Sequence, residues 1–129
     1  MGYKLKTVNT KNSPQAIGPY SQAKIINNLV FTSGQIPLKV DGQIIENNFE
    51  LECKQVLTNL EEILLAAGSG SKYIIKLTVY LTDLNKFQIL NEIFKEYFNE
   101  NLPARSTVEV SKLPMNARVE IEAIGLIND

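Results

Sequence analysis

The sequence predicts an α+β fold within the broad α/β class: a sheet of five or six strands with two helices on one of its faces. Three observations predict it. Cys53, Val56, Leu57, Leu60, Ile63, Leu64 and Ala67 fall at i, i+3, i+4, i+7, i+10, i+11 and i+14, one apolar stripe of an amphipathic helix. Tyr73 to Thr82 alternates, with Ile75, Leu77, Val79 and Leu81 on one face and Ile74, Lys76, Thr78 and Tyr80 on the other. The elements come in the order β-β-β-α-β-α-β-β, and two helices can cover only one face of such a sheet. Residues 1–129 are read as a single domain, the size of one ordinary hydrophobic core.

Each element has a local reason. Leu5 to Val8 is a short first strand. Ser13 to Tyr20 is a loop, punctuated by Pro14, Gly18 and Pro19. Strands follow at Ala23–Ile26 and Leu29–Ser33. Asn27-Asn28 between them suits a tight hairpin, because asparagine tolerates positive φ. Asp41-Gly42 marks a further turn. Asn47 or Asn48 caps the first helix, and Gly68 ends it in the left-handed conformation. After the strand at Tyr73–Thr82, Asp83 caps a second helix over Leu84 to Asn99, with Phe87, Leu90, Phe94, Tyr97 and Phe98 on its inner side. Strands at Arg105–Val110 and Arg118–Leu126 complete the order. The last puts Val119, Ile121, Ala123 and Gly125 on one face and begins the other with Arg118, Glu120 and Glu122.

Composition narrows the chemistry. The chain has no histidine and one cysteine, which excludes His-based triads and cysteine metal clusters. A net charge of −1 points to neither a nucleic-acid nor a membrane surface. Met1 to Asn9 carries no apolar run, so no signal peptide or spanning segment is expected, and the protein is read as cytoplasmic. The lone Cys53 falls on the helix stripe and reads as core rather than as a reactive thiol.

Arg105 is the most informative residue. In Leu102-Pro103-Ala104-Arg105-Ser106-Thr107-Val108-Glu109-Val110, the residues Ser106, Val108 and Val110 take one strand face and Arg105, Thr107 and Glu109 the other. A guanidinium is a rigid fork whose best partner is a planar carboxylate or phosphate. Arg105 and Glu120 are expected together on the sheet face that the helices leave bare. Antiparallel pairing of their strands across Ser111–Ala117 would bring them close. Two readings stay open here: the two side chains pair with each other or solvate an exposed face, or they form a ligand site. The bare face would mix Ile74, Lys76, Thr78 and Tyr80 with Arg105, Thr107, Glu120 and Glu122, a combination suited to an interface between copies with polar pockets. Tyr20, after Gly18-Pro19, is either a packing residue or a phenol at a pocket edge. Gly34 either bends the chain or leaves a backbone N–H open to close approach. Asn91 is expected at the surface unless something needs its amide. Thr107 offers a hydroxyl.

Taken together, Ala16-Ile17-Gly18-Pro19-Tyr20-Ser21-Gln22-Ala23, Phe31-Thr32-Ser33-Gly34-Gln35-Ile36-Pro37, Thr82-Asp83-Leu84-Asn85, Leu102-Pro103-Ala104-Arg105-Ser106 and Val119-Glu120-Ile121-Glu122-Ala123-Ile124 resemble the RidA/YjgF family of reactive-intermediate deaminases, from Pro14 to Leu126. The resemblance implies a chorismate-mutase-like fold, a homotrimer whose sheets form a central barrel, and sites in the clefts between subunits. It implies cofactor-free hydrolysis of 2-aminoacrylate and related enamine or imine acids to 2-keto acids and ammonia. It implies that Arg105 binds the substrate carboxylate, that Glu120 positions or activates water, and that Tyr20, Gly34 and Asn91 line the pocket. Thr107 stands where many members carry cysteine. Two alternatives remain: a small-carboxylate-sensing regulatory binding protein, and a ribonuclease or translation inhibitor, a label that family members also carry but that a chain without histidine or a basic surface supports little.

Overall fold

The computed structural model describes residues 4–128. Six strands form one sheet: β1 Lys6–Val8, β2 Ala23–Ile26, β3 Leu29–Thr32, β4 Ile74–Leu81, β5 Ala104–Glu109 and β6 Val119–Leu126, in the spatial order β1-β2-β3-β6-β4-β5. Two helices, α1 Phe49–Ala66 and α2 Phe87–Phe98, cover one face. The predicted fold class and both helices are present.

α1 forms where the stripe predicts it. Asn48 caps it, its side chain accepting from the Leu51 N–H, and Gly68 follows it at φ +88°, the left-handed conformation that glycine adopts without a Cβ clash. Cys53, Val56, Leu57 and Leu60 pack with Leu77, Val79, Leu81, Val119, Ile121 and Ala123 of the sheet and with Leu90, Ile93 and Phe94 of α2 to make the main core. Burial pushes the Cys53 thiol up to about 12, so it is an inert core group. Residues Leu84–Lys86, expected as the first turn of α2, form a separate 3-10 turn capped by Asp83, whose carboxylate accepts from the Asn85 N–H.

Three expectations about the sheet are corrected. A bulge between Ile74 and Lys76 breaks the alternation. Ile74 therefore packs on the core while Ile75, expected with Leu77, is 46% exposed. Arg118 does not join Glu120 on the open face. It precedes β6 and bonds Glu52 of α1 through Nε at 3.0 Å and Nη2 at 2.5 Å. Third, β5 does not pair with β6. It lies parallel to β4, to which the α2 crossover joins it, and β4 separates it from β6.

That third correction reverses the face of Arg105. The register places Arg105 beside Leu77, Thr107 beside Val79 and Glu109 beside Leu81. Parallel partners point the same way, and Leu77, Val79 and Leu81 are buried under the helices. Arg105 and Thr107 therefore face α2, while Ala104, Ser106 and Val108 are exposed on the other face and Glu109 is exposed at the end of the strand. Glu120 and Glu122 do lie on the open face, beside Tyr80 and Thr78 of β4. That face also carries exposed Phe31, paired with Ile124, and exposed Val108, paired with Tyr80. It mixes apolar and polar groups, but without the Ile74, Arg105 and Thr107 expected on it.

Candidate active site

The sequence-predicted site residues fall into two groups. The first is built on β5 and α2. Phe87, Asn91 and Phe94 are spaced i, i+4 and i+7 and so share one helix face. Arg105 reaches that face from the edge strand. Its Nη2 donates to Asn91 Oδ1 at 2.8 Å. Its Cζ lies 5.2 Å from the Phe87 ring centroid and 5.3 Å from that of Phe94, within cation–π range. Burial alone lowers the Arg105 pKa from its ordinary value. Among the described residues Arg105 belongs to no ion pair. The reading in which Arg105 and Glu120 satisfy each other within one chain is therefore excluded. Thr107 Oγ1, on the same face, is buried and meets no hydrogen-bond partner among the described residues. Asn91, expected at the surface, is half-buried because Arg105 needs its amide oxygen.

The second group is built on β6 and two loops. Gln35 and Ile121 exchange backbone hydrogen bonds of 2.9 and 3.1 Å, which lays Gly34 against Glu120. A Cβ at position 34 would stand 2.0 Å from Glu120 Oε2, so this glycine exists to admit the carboxylate. Burial, and then the charge of Glu122, raise the Glu120 pKa from its ordinary value. Tyr20 is 48% exposed; its hydroxyl accepts from the Ile17 N–H at 3.3 Å. Tyr20 and Gly34 line one cleft with Ala16, Ile17 and Ile36. Its free volume of about 20 Å³ admits one water and no organic acid.

Two buried amides that sequence reasoning missed hold this second group. Gln22 Nε2 donates to the carbonyls of Thr10 and Pro14 at 3.1 and 2.8 Å, and its Oε1 accepts from the Thr10 N–H at 2.7 Å. Asn59 of α1 donates to the carbonyls of Ile36 and Leu38 at 3.2 and 2.8 Å, while its own carbonyl accepts from Ser13 Oγ. The loops carrying Tyr20 and Gly34 are thus tied to α1 and β2. A signal for Asn59 was available: a polar residue three positions after Val56, inside an apolar stripe.

The two groups do not meet within one chain. Glu120 is on the open face of β6, and Arg105 is on the helix face of β5, two strands away. Two strand spacings amount to about 10 Å, before the change of face is counted. A larger cavity of about 160 Å³ lies elsewhere, between Ile44–Asn47 and Asn116–Arg118 over the Glu52–Arg118 pair. It contains none of the predicted site residues.

Fold and motif set together define the family. The chain belongs to the RidA/YjgF family: the model described as Endoribonuclease L-PSP matches residues 10–127. Among its relatives is the human protein named 2-iminobutanoate/2-iminopropanoate deaminase, 43% identical over 122 residues, spanning 94% of this chain and 89% of that protein. A RutC family protein of Pyrococcus horikoshii is 47% identical over 121 residues, spanning 93% of this chain and 96% of that protein. The crystal structure of E. coli TdcF with bound serine matches with a TM-score of 0.89 at 41% identity, covering 95% of this chain and 99% of that one. No helix among the described residues is long and apolar enough to cross a membrane.

Proposed function

We propose that this protein is a cytoplasmic imine deaminase that hydrolyses 2-aminoacrylate and related enamine or imine acids to 2-keto acids and ammonia. The observation that carries the reading is Arg105. It is a half-buried guanidinium on an edge strand, fixed through one donor by Asn91 and with no carboxylate partner among the described residues. Such a fork is built for a ligand carboxylate. The human relative's name supports the reaction class.

The site is completed by a second copy. Arg105, Asn91 and Thr107, at the β5 edge of one protomer, meet Glu120, Gly34 and Tyr20 of its neighbour when that edge packs against the neighbour's open sheet face, in the homotrimer that the family resemblance implies. The mixed open face supplies the surface for that packing. A solution mass of 14.4 kDa, that of one chain, would overturn this arrangement.

The chemistry follows from the groups. Arg105 binds the carboxylate and fixes the imine carbon. That carbon is already electrophilic, so water is a sufficient nucleophile. Glu120, whose pKa burial raises from its ordinary value, takes a proton from the attacking water, which contributes roughly 10²–10⁴-fold. Glu120 returns that proton to the imine nitrogen, giving the neutral carbinolamine. The C–N bond then breaks as the hydroxyl proton passes to the nitrogen, and the 2-keto acid and ammonia leave; an enamine enters the same route after one proton moves from its nitrogen to its β-carbon.

The test is a coupled assay. A dehydratase acting on serine generates 2-aminoacrylate, and pyruvate appearance is followed with wild-type protein or Arg105→Ala. Acceleration by the wild type alone is expected. Tight binding of 2-keto acids with no acceleration would favour the carboxylate-sensing reading, which the serine held by TdcF makes the second choice.

A further inference from the structure

The aromatic rings beside Arg105 are not explained by core packing alone. Phe94 belongs to the main core, but Phe87 is half-buried and stands outside that cluster. Phe87 is also the first residue of α2, where an exposed polar side chain would serve the helix equally well. Its ring is instead turned to the Arg105 guanidinium, at 5.2 Å. β5 is the edge strand, so no further strand confines Arg105 on its outer side. Asn91 fixes one end of the fork, through Nη2 only. Orienting the rest of the guanidinium falls to the rings.

We propose that Phe87 is a positioning residue for carboxylate recognition, holding with Phe94 the plane of the Arg105 guanidinium so that its free donors face the ligand. The inference rests on Arg105 as the carboxylate-binding group. The ring quadrupole attracts the cation without consuming a hydrogen-bond donor. Asn91 occupies one donor, and the remaining ones stay available for a planar carboxylate. Leucine at position 87 keeps apolar bulk but removes the quadrupole. The guanidinium then samples orientations that the ligand has to restrict. That loss weakens substrate and transition state alike, so it raises KM and leaves kcat.

The experiment compares wild type, Phe87→Leu and Phe87→Tyr. Kd for 2-oxobutanoate is measured by calorimetry, KM and kcat for 2-iminobutanoate generated in situ, and the melting temperature by circular dichroism. Phe87→Leu is expected to raise Kd and KM together by roughly 5- to 20-fold, with kcat within about twofold and an unchanged melting temperature. Phe87→Tyr, which keeps the ring, restores both constants. Equal Kd and KM in wild type and Phe87→Leu, or a fall in melting temperature with no change in Kd, overturns the proposal. A wild type that binds 2-oxobutanoate without turnover defeats the deaminase reading alone, because Kd still reports the ring's effect on Arg105. A wild type that neither binds nor turns over defeats both.

Discussion

Arg105 and Glu120 are held by opposite means. Arg105 is organised by one face of one helix: Phe87, Asn91 and Phe94, each contacting the guanidinium directly. Glu120 is organised by parts far apart in sequence. Gly34 makes room for its carboxylate, Gln35 pairs with Ile121 beside it, and Asn59 and Gln22 tie the loops down from the core. The first arrangement is local and regular, so a single substitution there has a single consequence. The second is distributed, so damage at a distance is transmitted to the carboxylate through backbone. In the proposed function the same difference would separate binding, the task of a pre-set cation, from catalysis, which needs a base within a fraction of an ångström of its water.

Substitutions sharpen this contrast. Arg105→Ala has the largest expected effect. Loss of two charge-assisted hydrogen bonds, each about 1.5–3 kcal/mol, lowers kcat/KM by at least about 10²-fold, while circular dichroism shows the fold intact because the residue lies on an edge strand. Gly34→Ala comes next. Its Cβ would collide with Glu120 Oε2, and displacement of the carboxylate by about 1 Å lowers kcat roughly 10²-fold while Kd for 2-oxobutanoate stays the same. An unchanged kcat would show that the close approach has no catalytic meaning.

Asn59→Ala tests the distributed side. It strips the partners from the Ile36 and Leu38 carbonyls, which destabilises the protein by about 2–4 kcal/mol in urea unfolding. It lowers kcat more than it raises KM, since its loop reaches Gly34 and not Arg105. Equal effects on both constants would break the proposed division of labour.

The smallest effect concerns pH. As the proposed base, Glu120 works only when ionised, and its pKa is raised from 4.5, first by burial and then by Glu122. Activity is therefore lost as pH falls through that raised value, above the ordinary carboxylate range. Glu122→Gln removes the lesser cause and moves the acid limb of kcat to lower pH. The stability sign is opposite. A raised carboxyl favours the protonated form in the folded state, so folding is penalised as pH rises through the raised value, and Glu120→Gln relieves that penalty at neutral pH but not well below pH 4.5. A kcat profile identical in wild type and Glu122→Gln would place Glu122 outside the electrostatics of the site.

How far the sequence could be read follows the same division. Periodicity located both helices, and the alternation of β5 grouped Arg105 with Thr107 correctly. Alternation states which residues share a face but not which face meets the helices. That depends on strand order, and only the β4-α2-β5 crossover decides it. The bulge that buries Ile74 and exposes Ile75 left no period to read. Asn91 reads as a surface residue of its own helix, because its partner Arg105 lies across a loop. Gln22 and Asn59 act through carbonyls whose positions no local pattern encodes.

The most direct test of the central claim, a site shared between copies, is to co-assemble two inactive variants. Arg105→Ala and Glu120→Gln are each purified, unfolded, and refolded together at equal concentration. A site is intact when an Arg105 from one protomer faces a Glu120 from its neighbour, so random assembly should recover about a quarter of wild-type turnover, while each variant refolded alone stays inactive. Mixed oligomers verified by mass that show no turnover would contradict the account and place both groups of every working site on one chain.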